Sequence, residues 1–447
     1  MKKKIGVVSL GCPKNLIDSE IMLGILKNNE YEIINDQKDA DIIVVNTCGF
    51  IESSKQESIN TILEMSECKN DKCELLIVTG CLAERYKDEI INLIPEVDAV
   101  LGTGNYGQIA EVIEKAYNDG QKQVLYGKID ETEYLNNERL VSTNKGYAYL
   151  KIAEGCDNCC TYCIIPSLRG KYRSRKFEDV VKEAQKLARQ NVKELILVAQ
   201  DTTRYGVDIY AKRKLAELLR SLSEIDGIEW IRILYCYPEE IDDDLIEEMA
   251  NNKKIVKYID IPLQHTSDKV LKVMGRRGTN SQYKLLLKKL KNKIPDLVIR
   301  TSVIVGFPGE DEEDFTKLNE FFEEYMVDRL GVFSYSREEN TAAYKLKNQI
   351  PKKIKDNRFA QMINLQSQII DSKNADRLNK TYKTLVEGVA DDGIFYTGRT
   401  YAEAPEIDSI IYFTSEEPLE FGEFVNVKIL NTDNYDLIGV VANESAE

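Results

Sequence analysis

The sequence predicts an α/β protein in three parts: an N-terminal parallel α/β domain over residues 1–118, a central barrel or partial barrel over 143–376, and a small β-barrel over 378–447, with a polar linker at 119–142. Three patterns carry this prediction. In the first part, apolar strand-like runs alternate with helical ones, which implies βαβ units and a parallel sheet. Six further strand–helix units fill the second. In the third, short strands are separated by glycine, asparagine and acidic turns, as in a small barrel. A chain of 447 residues has room for about two to four domains. Its 43% apolar and 30% charged residues are ordinary for a well-packed soluble protein.

In the first domain the strand-like runs are 4–10, 41–46 and 74–80, separated by helical patterns at 17–27, 53–65 and 84–93. Right-handed crossovers place the carboxyl ends of these strands on one edge of the sheet. A cysteine stands at each end: Cys12 in LGCPKN, Cys48 in NTCGF and Cys81 in TGCLAERY. Each has a glycine beside it (Gly11, Gly49, Gly80), which lets the backbone come close to a bulky ligand. A buried free cysteine is often only a small hydrophobe. Three at corresponding strand ends point instead to one shared cluster site. Cys68 and Cys73 flank the turn CKNDKC at the other end of the third strand and read as incidental thiols. Residues 121–144 are polar and weakly patterned, which suits a connecting strap.

The central strand-like runs are 147–152, 194–198, 229–234, 256–261, 297–305 and 330–335, with helical stretches at 177–189, 212–222, 241–250 and 314–325. In barrels of this kind the loops after the strands build the site. The first such loop carries Cys156, Cys159, Cys160 and Cys163 within eight positions. Soft sulfur ligands suit zinc, copper(I) or iron–sulfur clusters. Zinc sites ordinarily add a distant second pair of Cys or His, and His265 is the only histidine. Three thiolates without a fourth suit a 4Fe–4S cluster that keeps one iron open. Both Cys156/Cys159/Cys163 and Cys156/Cys160/Cys163 would serve.

The later loops carry Gln200-Asp201-Thr202, Tyr237-Pro238-Glu239, Leu263-Gln264-His265, the glycine-containing run from Gly306 to Glu310, and Tyr335-Ser336-Arg337. Tyr162, Gln200, Gln264, His265 and Gly306 are the candidate cofactor contacts, Gly306 because a strand running into glycine leaves room for a ligand's edge. A lone histidine is by default a hydrogen-bonded structural one, and the strand-end position brings a site role level with that reading. Cys236, at a strand-to-loop junction, reads as packing. The run Arg169, Lys171, Arg173, Arg175, Lys176 is either a solvated surface or a guanidinium that holds a carboxylate.

A polar helix at 352–377 leads to the third domain, with strand-like runs at 384–389, 409–413, 424–430 and 436–441. Charge is unevenly spread within the overall −15: net −8 over residues 1–118, net +3 in the middle and net −10 over 378–447, where four basic face fourteen acidic residues. That deficit opposes phosphate binding, so a basic protein partner is expected and direct nucleic-acid binding is not. Glu403, Glu406 and Asp408 in AEAPEID are expected to dock it. No apolar run reaches the roughly 20 residues that span a bilayer, and the basic start runs straight into a strand pattern without a signal-peptide core. A cytoplasmic location follows as an expectation, with the ten cysteines reduced.

The cysteine loop, with Tyr162 before its last cysteine, resembles the radical S-adenosylmethionine (SAM) enzymes. Cys12, Cys48 and Cys81 upstream and the small barrel downstream are similar to the methylthiotransferases of that superfamily. LGCPKNLIDSE, NTCGFI, GCLAERY, IPLQH and GRTYAEAPEID resemble the branch that modifies an aspartate of small-subunit ribosomal protein S-twelve. The resemblance covers essentially the whole chain. It implies a radical-SAM central domain of partial TIM-barrel type and a TRAM-like third domain. It selects Cys156, Cys160 and Cys163 as ligands and leaves Cys159 a bystander. It also implies two 4Fe–4S clusters, one on each triad. The central cluster would bind SAM and, given an electron from a donor, release the radical that takes hydrogen from the aspartate β-carbon. The cluster on Cys12, Cys48 and Cys81 would supply a methylated sulfur. A monomer is expected. A tRNA-adenosine methylthiotransferase shares the six cysteines and the domain order. A non-catalytic iron–sulfur protein is the rival outside the enzyme class, and the polar strand-end loops argue against it. Asn340 in SREENTAA stands where glycine is expected, so that loop is assigned no catalytic role.

Overall fold

The structure of the protein, a computed structural model, describes residues 2–127, 129–143 and 146–442. The ends of the first and third domains at residues 1 and 443–447, Lys128 of the expected linker, and Asn144 and Lys145 lie outside the described residues. The first domain is a six-stranded parallel sheet of β1 (Lys4–Ser9), β2 (Glu32–Ile34), β3 (Ile42–Thr47), β4 (Leu75–Gly80), β5 (Ala99–Leu101) and β6 (Gln123–Leu125), in the order β2-β1-β3-β4-β5-β6. Every residue of β3 and β4 is buried, as expected of parallel strands covered on both faces. The helices are α1 (Pro13–Asn28), α2 (Glu52–Glu67), α3 (Cys81–Tyr86), α4 (Asp88–Leu93) and α5 (Ile109–Asp119).

β2, β5 and β6, three residues each, escape the sequence reading because they are too short to show a period. β6 corrects the linker. The stretch after residue 118 first supplies the sixth strand of the sheet. It then straps down α1, where Arg139 and the Ser142 N–H both donate to Glu20, at 2.8 and 2.7 Å.

The central sheet contains β7 (Tyr147–Lys151), β10 (Glu194–Val198), β11 (Trp230–Ile233), β12 (Ile255–Asp260), β13 (Val298–Val305) and β14 (Arg329–Ser334), all parallel, in the order β14-β13-β12-β11-β10-β7. All six expected strands are present, and the sheet curls without closing. A small ladder of β8 (Ala153–Glu154) and β9 (Arg173–Ser174) brackets the cysteine loop and α6 (Ile165–Arg169). The two-residue alternation of β7 sends Ala148 and Leu150 outward against the helical layer with Leu187 and Leu218. Tyr147 and Tyr149 point inward, into a core shared with Ile17 and Ile21 of α1 and with Ala402 and Ala404. The hollow of the half-barrel is thus filled by the first and third domains.

The third domain is a closed barrel of β15 (Thr381–Val389), β16 (Tyr396–Arg399), β17 (Ile411–Thr414), β18 (Phe424–Asp433) and β19 (Asp436–Val441), around Val386, Phe413, Val427 and Leu437. It sits under the amino ends of the central strands. Glu194, the first residue of β10, accepts from Arg232 Nε at 2.7 Å and from Arg399 Nη2 at 2.8 Å. Trp230, the first residue of β11, meets Phe424 edge-on with ring centroids 4.6 Å apart.

This placement corrects the docking role expected of AEAPEID. Glu403 is wholly buried, accepts from Thr400 Oγ1 at 2.6 Å and Arg329 at 3.2 Å, and also pairs with Arg377. Burial alone would push its carboxyl up, but Arg377 and Arg329 outweigh it and hold the group at about 2. Asp408 accepts from Tyr258 Oη at 2.6 Å and from the Ala404 N–H at 2.9 Å. Both carboxylates pin the third domain to the second; of the three, only Glu406 is exposed.

Candidate active site

β1, β3 and β4 are neighbours in the first sheet, so the three cysteines that follow them come together at its carboxyl edge. Cys12 is the N-cap of α1 ahead of Pro13, Cys48 follows β3, and Cys81 opens α3. The glycines serve the packing of one cysteine loop on the next. A Cβ at Gly11 (φ +91°) would stand 3.1 Å from Cys48 Sγ, and one at Gly49 only 2.8 Å from the Leu82 nitrogen.

The second triad is held by local clamps. The Thr161 N–H donates to the Met274 carbonyl at 2.9 Å, and the Ala343 N–H to the Thr161 carbonyl at 2.8 Å. Tyr162 stands edge-on to Phe307, 6.4 Å between centroids, in a core with Met274 and Tyr335. Gly275, missed in the sequence although MGRRG marks a turn, has φ +74°, and a Cβ there would lie 2.6 Å from the Cys159 carbonyl oxygen. Cys156 Sγ accepts from the Asn158 N–H at 3.4 Å, and Cys160 Sγ lies 3.6 Å from Tyr237 Oη. Cys156, Cys160 and Cys163 feel one another electrostatically, whereas Cys159 is exposed with its thiol turned to the Asp157 carbonyl.

The two triads adjoin. Cys81 packs against Ile164, the residue after Cys163, and against Leu168 of α6. Arg169, at the end of α6, donates to Cys81 Sγ at 3.4 Å, Asn15 Oδ1 at 2.9 Å and Asp18 Oδ2 at 2.6 Å. Lys151 donates to Asp18 and, at 2.8 Å, to Glu154, and Gln200 also donates to Glu154 at 2.8 Å. Burial alone would push Glu154 up, but Lys151 and Arg169 outweigh it and hold the carboxyl well below the usual range. Two buried cations thus face two buried carboxylates between the triads. Of the basic run, Arg169 and Arg175 are buried and paired within the protein, Arg175 with Glu183 at 2.5 Å.

Two other buried cations have no carboxylate partner among the described residues. Lys14 lies 3.2 Å above the centroid of the Tyr235 ring, beside Cys12. Arg276 stacks 3.8 Å from the Tyr237 ring and donates to the Pro262 carbonyl at 2.7 Å. Tyr235 and Tyr237 stand on one loop after β11. Tyr235 holds a left-handed φ of 62°, unusual for a bulky residue and a pointer to a functional constraint.

The remaining candidate contacts are engaged within the protein. His265 is fully buried, its Nδ1 accepts from the Thr266 and Ser267 N–H groups at 2.9 Å, and its Nε2 faces Glu310 at 3.7 Å. It knots the turn after β12. Gln264, with φ 69°, bridges to Val303. The space at Gly306 is taken by the Lys355 stem, since a Cβ there would lie 2.4 Å from Lys355 Cγ. Asn340, at the position where glycine was expected, has a left-handed φ of 66°.

The donor chemistry fits iron–sulfur clusters. Burial pushes Cys81 and Cys156 up to about 11 and Cys163 up to about 12, so each thiol gives up its proton as it takes on iron. Among the described residues no three ligating side chains close on a single ion, and a cluster with several irons accepts sulfurs that stand further apart.

Residues 4–102 match the family described as uncharacterized protein family UPF0004, residues 150–322 the radical SAM superfamily, and residues 380–442 the TRAM domain. These matches make the chain a radical SAM protein that also carries a TRAM domain. The chain is 63% identical to the ribosomal protein uS12 methylthiotransferase RimO of Acetivibrio thermocellus and 53% identical to that of Clostridium tetani, each alignment covering 100% of both chains. It belongs to the RimO family. Among solved structures, the radical SAM methyltransferase TsrM of Kitasatospora setae shares the fold, with a TM-score of 0.56 at 13% identity over 77% of both chains.

Proposed function

We propose that the chain adds a methylthio group to an aspartate β-carbon of ribosomal protein uS12, with SAM as cofactor and one 4Fe–4S cluster on each cysteine triad. The observation that carries this reading is the junction of the triads through Cys81, α6 and Arg169. When bound, the clusters and SAM supply the one-electron chemistry and the sulfur. The chain's residues supply placement. Cys156, Cys160 and Cys163 hold one cluster, and Cys12, Cys48 and Cys81 the other. Arg169 orients Cys81 and ties the first domain to the second, as groups behind metal ligands ordinarily do. Tyr162 and Phe307 fix the central loop. With a third domain of net −10, a basic protein is a better electrostatic match than a phosphate backbone. The enzyme acts as a cytoplasmic monomer served by an electron donor; among the described residues no helix is long and apolar enough to cross a membrane.

The test incubates anaerobically reconstituted enzyme, SAM and reductant with either uS12 or unmodified tRNA, and searches both by mass spectrometry. A methylthio group on a uS12 aspartate is the expected result. Modified tRNA adenosine with untouched uS12 overturns the substrate assignment.

A further inference from the structure

We propose that Lys14 is the residue that receives the side-chain carboxylate of the target aspartate, an inference that rests on the substrate reading above. Lys14 is only 8% exposed. A buried, unpaired ammonium is costly, and this region avoids one elsewhere, since Lys151 and Arg169 share Asp18 and Glu154. Lys14 has no such partner among the described residues. Its Nζ has three N–H donors, and the Tyr235 ring lies beneath it. Cys12 and Glu154 act on it without forming an ion pair, so a ligand's anion would find donors to meet.

The position specifies which anion. Lys14 is two residues from Cys12 and sits on Tyr235, while Tyr237 reaches Cys160 Sγ at 3.6 Å. Two residues of chain span at most about 7 Å. A group held by Lys14 is thus beside the first triad, on a loop whose Tyr237 also reaches the second. In aspartate the carboxylate carbon is bonded directly to the β-carbon, so a cation on the carboxylate holds the reacting carbon beside the first triad, where the loop of Tyr235 and Tyr237 leads to the second. Asparagine has the same shape without the charge, and a nucleobase offers no carboxylate at all. Arg276 is the contrast, since its guanidinium already donates to Pro262 and faces the second triad alone.

The experiment measures binding of the full-length, cluster-loaded enzyme to uS12 and to uS12 with asparagine at the modified position, for wild type, Lys14→Met and Lys14→Arg, with iron content and cluster spectra recorded for each. Wild type is expected to prefer the aspartate form about tenfold or more, as a charge-assisted hydrogen bond gives. Lys14→Met should bring the ratio near one with iron and spectra unchanged, and Lys14→Arg should keep part of it. Equal weakening toward both forms, an unchanged ratio, or loss of iron from the first triad overturns the assignment, the last by making Lys14 a counter-ion of the cluster. If wild type modifies tRNA and ignores uS12, the substrate reading fails and takes this inference with it. If wild type modifies uS12 but Lys14→Met keeps the preference, only the Lys14 assignment fails.

Discussion

The two cysteine triads reach similar ends by opposite routes. Cys156, Cys160 and Cys163 lie in one short loop held by its neighbours, the Met274 and Ala343 backbone and the Phe307 ring. Cys12, Cys48 and Cys81 come from three strand ends and meet only because β1, β3 and β4 are adjacent. The first kind of site pays little loop-closure entropy; the second exists only once a whole sheet has formed. Each nevertheless has a buried cation stacked on a tyrosine beside it, Lys14 on Tyr235 and Arg276 on Tyr237. A locally wound site tolerates change in distant structure, whereas one gathered by topology inherits every defect of its sheet.

The largest expected effect separates the two sites outright. Replacing Cys12, Cys48 and Cys81 together by alanine should leave about half the iron, abolish methylthiolation and spare reductive SAM cleavage. Loss of cleavage with the central cluster intact would show that the sites do not divide the work. Next comes the joint between them. Arg169→Gln leaves Lys151 as the one cation paired with Asp18 and Glu154 among the described residues, and breaking a buried charge network of this kind costs about 3–5 kcal/mol. Hydrogen exchange over residues 13–28 and 165–169 should accelerate together; acceleration in one segment only would mean that Arg169 does not couple the domains. The smallest effect sharpens the ligand choice. Cys159→Ala should leave iron content and cluster spectra as in wild type, and an emptied central cluster would transfer the ligand role to Cys159.

What the sequence made legible follows from the range of the forces involved. Buried parallel strands write long apolar runs, so all six central strands and β1, β3 and β4 could be read, and with them the cysteines at their ends. β6 could not, and its segment was taken for a linker. Net charge misled at AEAPEID, because a count of carboxylates does not record that Arg329 and Arg377 neutralise Glu403 from other parts of the fold. Lys14 stood in a motif already singled out, yet its burial depends on Tyr235 of another domain, which no local pattern encodes. His265 and Gly306 were drawn toward the cofactor by their strand-end positions, while Glu310 and Lys355 explain them within the protein.

The third domain lies beneath the amino ends of strands whose carboxyl ends carry the chemistry. β7 alone has five residues, about 16 Å at the rise of an extended strand. A molecule that touches the small barrel and also offers a residue to the cysteines must wrap past at least that depth of protein. A free amino acid spans only a fraction of this depth, so only a partner many residues long can meet both surfaces at once.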